Sequence, residues 1–187
     1  MNKEKVIVTT LDVVKNKKLE KTSISEITKK SKMSPGNIYY YFNSKNDIYN
    51  EVAHYALDEI KKELCKLKLT GNKNNDLFSL TKKLITFLEK RDEILFFLVS
   101  ASGSSYLDKN LDAIKALGVY KQILLNDSNG NKDRKTMLKL RMFMSSLLEI
   151  LYINVFVEKR NLSKEEIEEV CSFYWHENKN DKRVEII

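Results

Sequence analysis

Chain-breaking residues are almost absent: one proline, Pro35, and five glycines interrupt 187 residues. A many-turned β fold needs far more punctuation, so the chain is read as all-α, built from helices joined by short loops. The positions of the few breakers and caps then divide it. Val6, Ile7, Leu11 and Val14 recur at helical spacing and predict a first helix over 4–16. Ser23 and Glu26 have capping-box spacing, in which each side chain satisfies an orphan backbone N–H of the other residue, so a second helix starts there and runs to about Ser31. Ser34 followed by Pro35 is a preferred helix start, because proline lacks the N–H that the first turn leaves unpaired. The third helix is brief, since Ser44 and Asp47 signal the next start, and a fourth helix runs from about 45 to about Leu69.

Thr70-Gly71-Asn72-Lys73-Asn74-Asn75 is the clearest linker. Helical patterns then resume near 76–90, 92–102, 105–126, 133–160 and 163–178, with 126–131 as a second loop and 179–187 as a frayed end. Ser163 and Glu166 repeat the capping-box spacing. The chain thus divides into a short N-terminal unit, residues 1–48, and a longer helical unit, 49–187, linked by the fourth helix.

Charge is uneven. Residues 1–50 hold ten Lys and no Arg against five acids, a net +5, while the rest of the chain brings the total only to +7. A basic end on a nearly neutral body suits a polyanion partner, although a general Lys bias (28 Lys, 5 Arg) produces the same excess. Cys65 and Cys171 lie far apart, consistent with two idle thiols in a reducing cytoplasm or with a redox sensor. Lys3, Glu4 and Lys5 lead into only a short apolar patch, so no leader is expected, and the longest apolar stretch, Met142 to Val157, is interrupted by Glu149 and Asn154 and is shorter than the ~20 residues of a membrane span. The chain is therefore expected to be cytoplasmic, with no membrane partner. His54 and His176 are distant in sequence, and no nucleophile elbow, phosphate loop, zinc-protease or CxxC motif occurs, so neither catalysis, metal nor cofactor is expected.

Two short helices joined by about four residues suit a helix-turn-helix, which presents one face of its second helix to the major groove and packs the other on a small core. Ile38 and Phe42, four apart, can pack inward with Ile27 and Leu11, while Asn37 and Tyr41 share another face flanked by Tyr39 and Tyr40. Tyr39 and Tyr41 are read toward DNA; for Tyr40, packing and DNA contact stand equally open.

Thr22, Ser23, Ile27, Ser34, Gly36, Asn37, Tyr39, Tyr40, Phe42, Ser44 and Lys45 occur at spacings that resemble the DNA-binding domain of the tetracycline-repressor (TetR) family, over Lys5 to Val52. The resemblance implies phosphate contacts for Tyr39, Tyr40 and Lys45 and base-edge proximity for Pro35, Gly36 and Asn37. It also implies DNA contact for Tyr41, where the family often has His, and for Ser25 and Ser34. Lys18 and Lys32 stand where the family usually has Gly, and a left-handed backbone there costs a side-chain-bearing residue about 1–2 kcal/mol. With no Arg before Arg91, the usual Arg–guanine contact is absent and Asn37 is suited to adenine, so the expected operator is an A·T-rich inverted repeat.

Between Met137 and Val157, 15 of 21 residues are apolar or Tyr, so this helix needs cover on more than one side. A subunit interface is expected to supply it, with a monomer's own core as the alternative, and the resemblance implies a homodimer through the last two large helices, with Leu147, Leu151, Val155, Val170, Phe173 and Tyr174 as contacts. The resemblance also implies a small-molecule effector in the second domain that favours the DNA-incompetent state. Candidate lining residues are Phe96, Phe97, Tyr120, Met137, Phe143, Met144 and Tyr152. Glu149 either faces a cationic ligand or lies on the solvent stripe. The expected function is a ligand-released repressor; the alternative is a helical interaction protein that has lost DNA binding.

Overall fold

A computed structural model of the chain describes residues 2–102, 104, 116–125 and 132–175. Helices α1 (Asn2–Lys17), α2 (Ile24–Ser31) and α3 (Pro35–Tyr41) make a small N-terminal bundle, and α4 (Lys45–Cys65) leads out of it. Then come α5 (Lys73–Lys90), α6 (Asp92–Ser100), α7 (Gly118–Leu125), α8 (Lys132–Tyr152, continued by a π-helical segment Ile153–Glu158) and α9 (Lys164–Trp175). The expected helix over 105–126 is met only in its last third; residues 105–115, the loop at 126–131 and the chain beyond Trp175 lie outside the described residues.

Local chemistry sets the helix ends. Ser23 Oγ accepts from Glu26 N while Glu26 accepts from Ser23 N, closing the capping box. Ser34, Ser44 and Asn72 each accept from the backbone N–H three residues on. Before α9, Ser163 N donates to Glu166 Oε2 at 2.8 Å and Glu166 N donates back to Ser163 Oγ at 3.3 Å. The linker is shorter than the sequence suggested, because Asn72 caps α5 and Asp76 Oδ1 accepts from Thr70 N and Thr70 Oγ1, both at 2.8 Å, folding Thr70–Gly71 onto the new helix.

Lys18 (φ 70°) and Lys32 (φ 54°) both take the left-handed conformation that a glycine would adopt freely. The strain is accepted because each closes a helix: Lys18 N donates to Val14 O, and Lys32 N donates to Thr28 O.

One apolar core runs through both ends of the molecule, from Val6, Ile27 and Ile38 through Val52, Ala56 and Ile60 on α4 to Leu84, Phe97, Phe143 and Leu151. The first domain is therefore not an independent bead; α1 also packs along α6. Arg134–Glu158 forms a continuous helix of 25 residues whose most apolar window has mean hydropathy 1.5 and is 33% buried. By length and composition it could cross a membrane, which the 16-residue apolar run alone did not suggest; the amphipathic turns from Arg134 to Arg141 supply the extra length. Its Leu140, Phe143, Leu147 and Leu151 are buried against the body of the chain, while Leu138, Met142, Ile153 and Val157 face outward.

Candidate nucleic-acid interface

The turn between α2 and α3 positions everything that follows. Lys32 reverses the backbone, Ser31 is buried with its hydroxyl on Thr28 O, and Ser34 opens α3 with Pro35 in its first turn. From that anchored start, α3 buries Ile38 completely, and Phe42, in extended backbone just past its end, is 2% exposed. These two fix the helix's rotation about its own axis, and hence which side chains point away.

Ser25, Ser34, Pro35, Gly36 and Asn37 are exposed, Tyr39 is 54% exposed and Tyr40 81%. Tyr40 is thus not a packing residue. Tyr41 is half-buried instead, its ring edge-on to Tyr40 at 4.9 Å between centroids and near Phe42 at 6.4 Å. Tyr41, expected to face DNA, thus meets the core, while Tyr40, which the spacing left open, faces outward; on so short a helix, one residue's rotation of about 100° decides which tyrosine is buried. A Cβ built on Gly36 meets nothing within 4 Å, so no intramolecular contact requires glycine there.

Lys45 is drawn partly inward. Its ammonium donates to Thr22 O at 3.2 Å and lies 5.6 Å from the Tyr49 ring centroid. Tyr49 is buried and donates its hydroxyl to Leu19 O at 2.8 Å. The start of α4 therefore ties down the turn that leads into α2, and an ammonium keeps further donors for an outside acceptor.

The lysines divide into two groups. Lys3, Lys15, Lys17 and Lys30 pair with Glu51, Asp92, Glu26 and Asp12. Lys5, Lys18, Lys21, Lys29 and Lys32 are exposed and make no ion pair among the described residues. Sequence reasoning did not single out this second group. Partner acids such as Asp12 and Glu26 are distributed by the tertiary fold, and a count of charges cannot separate paired from unpaired lysines. Glu26 has its carboxyl held below the ordinary range, first by the Lys17 ammonium and then by the Ser23 N–H.

The candidate effector residues fall in several places. Phe96 lies with Tyr152 and Phe156 in one aromatic cluster, at 6.1 and 5.2 Å. Tyr120 and Phe143 stack with Trp175 in another, at 5.6 and 4.8 Å. There Tyr120 donates to Thr81 Oγ1, and its burial pushes the phenol well above its usual pKa. Phe97 is buried against Tyr49, Met137 and Met144 are half-buried on α8, and Glu149 is exposed, on the solvent stripe.

Of the six expected dimer contacts, Leu147 and Leu151 are buried within the chain itself, so they serve its own core. The i, i+4 rows of a helix lie on opposite sides when a turn is shifted by two residues; the outward row is Leu138, Met142, Ile153 and Val157. Val155, Val170 and Tyr174 are half-buried, and Phe173 is 81% exposed.

Residues 7–52 match the model of the tetR family of bacterial regulatory proteins. A stretch of 65 residues is 38% identical to the uncharacterised HTH-type transcriptional regulator YvdT of Bacillus subtilis strain 168, covering 33% of this chain and 34% of that one. The match to this relative thus spans about a third of its length. The whole fold is similar to that of a Shewanella sp. PV-4 protein assigned to the tetR family (TM-score 0.78, 14% identity, 94% and 96% of the two chains). It is likewise similar to a transcriptional regulator of Rhodococcus sp. RHA1 (TM-score 0.74, 13% identity, 93% and 94%). Residues 7–52 thus carry the N-terminal helix-turn-helix of the tetR family of bacterial regulatory proteins, and the chain over its length shares the fold of those two regulators.

Proposed function

We propose that the chain is a sequence-specific DNA-binding regulator of transcription, acting as a homodimeric repressor that a small-molecule effector releases from an A·T-rich inverted repeat. The observation that carries this reading is the division of α3: Ile38 and Phe42 hold it from beneath, while Gly36, Asn37, Tyr39 and Tyr40 face outward. A bare Cα at Gly36 lets a base edge or sugar come close, Asn37 can bond adenine, and the tyrosine hydroxyls can reach phosphate. Five unpaired exposed lysines around the same small domain add sequence-independent attraction.

Two half-sites need two heads, and the outward apolar row of α8 with Phe173 on α9 is the surface a second copy would cover. Release needs a path from the second domain to the first. Asp92, at the start of α6, accepts from Lys15 Nζ at 2.7 and 2.6 Å, and Phe97 of α6 packs on Tyr49 of α4. A ligand that displaces α6 would carry α1 and α4 with it, and must bind that displaced state more tightly to shift the equilibrium.

The test is a gel-shift titration of the chain against the DNA flanking its gene, repeated across salt. A regulator weakens steeply as salt rises, because each phosphate contact releases counterions, and Tyr39→Ala weakens binding to all sequences. Absence of a sequence-specific shift at every salt concentration would leave a helical interaction protein instead.

A further inference from the structure

A groove of about 720 Å³ runs between the C-terminal end of α4 and the outward side of α5, away from α3 and from every effector candidate named above. Its apolar wall is Leu67, Phe78 and Phe87, all half-buried. Its rim carries Lys82, Lys83, Lys90 and Arg91 against one lining carboxylate, Glu63. The volume lies within the usual range of small-molecule sites, and an apolar wall with a few convergent charges is their usual make-up.

The four cations are not equivalent. Lys83 Nζ lies 3.0 Å from Glu63, and Arg91 Nη1 lies 3.5 Å from Glu59; both bonds fasten α5 to α4. Lys82 and Lys90 are exposed and make no ion pair among the described residues. Phe78 and Phe87 are nine residues, or two and a half turns, apart on α5, so they stand at opposite edges of the groove, about 13 Å apart along the axis, with Ser79 and Thr86 between them.

We propose that this groove binds an amphiphilic carboxylate, its acyl or aryl body lying between Phe78 and Phe87 and its head group drawn to the cationic rim that Lys82 and Lys90 leave open. The head competes with Glu63 for Lys83 and with Glu59 for Arg91. Occupancy therefore loosens the bonds that hold the second half of α4 to α5. The first turn of α4 braces the turn before α2 through Lys45 and Tyr49, so the groove and the reading head share one lever. That last consequence rests on the DNA-binding reading; the site itself does not.

Octanoate is the probe, titrated calorimetrically into the full chain, with neutral octanamide as its comparison. Saturable octanoate binding at least about ten-fold tighter than octanamide is expected. The double variant Lys82→Glu/Lys90→Glu, with both side chains exposed and the thermal midpoint checked as unchanged, should weaken octanoate at least about ten-fold. Glu63→Gln, which frees Lys83, should tighten it by about three- to five-fold. Equal affinity for acid and amide, wild-type affinity in the double variant, or no saturation at millimolar octanoate would overturn the site. Octanoate binding that leaves operator affinity unchanged would overturn the lever alone. A chain that binds octanoate but no DNA would sink the proposed function while the groove assignment stands.

Discussion

Two surfaces of this chain leave large hydrophobic side chains in water, and they differ in kind. On α3 the exposed residues are Tyr39 and Tyr40, amphipathic rings with hydroxyls, set in a domain rich in unpaired lysines. On α8 and α9 they are Leu138 and Met142 (each 58% exposed), Val157 (66%) and Phe173 (81%), with no polar tip on any of them. Rings with a polar handle tolerate a wet, charged partner, whereas aliphatic rows gain only by being covered with another apolar surface. The contrast fits the two proposed partners, a polyanion for the first surface and a second copy of the chain for the second.

The strongest way to break the contrast is to charge the aliphatic surface. Val157→Glu with Phe173→Glu should turn a dimer into a monomer in sedimentation, and operator affinity should fall by about 100-fold or more as the linkage of two heads is lost. A variant that remains dimeric would move the interface elsewhere. Next in size is the opposition between the two sides of α3. Ile38→Ala, which empties a fully buried site, should cost about 2–5 kcal/mol in denaturant unfolding. Tyr40→Ala should leave stability within about 0.5 kcal/mol while lowering DNA affinity. Equal destabilisation by both would mean that the outward face is not free. Asn37→Ala should then remove about 1–3 kcal/mol of discrimination at one or two base pairs, read by competition with substituted operators.

Smaller effects test the scaffold. Lys32→Gly relieves a left-handed side-chain-bearing residue and should raise the urea midpoint, by about 1 kcal/mol of stability. At the start of α9, Glu166 is pulled down from the ordinary 4.5 to about 2, chiefly by Arg160 and then by the Ser163 N–H. A depressed carboxyl stabilises the fold above its unfolded pKa and loses that contribution as pH falls through its folded value. Acid unfolding between about pH 4.5 and 2 should therefore show a small component that Glu166→Gln removes.

The helix starts at Ser23, Ser34, Ser44 and Ser163 were legible because a cap is a local event: a side chain meets a backbone N–H three residues on, and spacing alone encodes it. The left-handed backbone at Lys18 and Lys32 was legible only through the resemblance, in which glycine usually stands at both positions. The inward pair Ile38 and Phe42 also follows from periodicity.

What spacing could not encode was relative rotation and pairing at a distance. It set Tyr41 outward and left Tyr40 open, offered Leu147 and Leu151 to a partner when the chain's own core buries them, and did not say which lysines would find acids. A helix that is apolar nearly all round has no preferred inward side of its own; its neighbours choose one. By itself the sequence determined the helices, their caps and the inward side of α3, because these depend on contacts within a few residues. The tertiary structure decided which faces remained free, because burial is a property of the whole packed body.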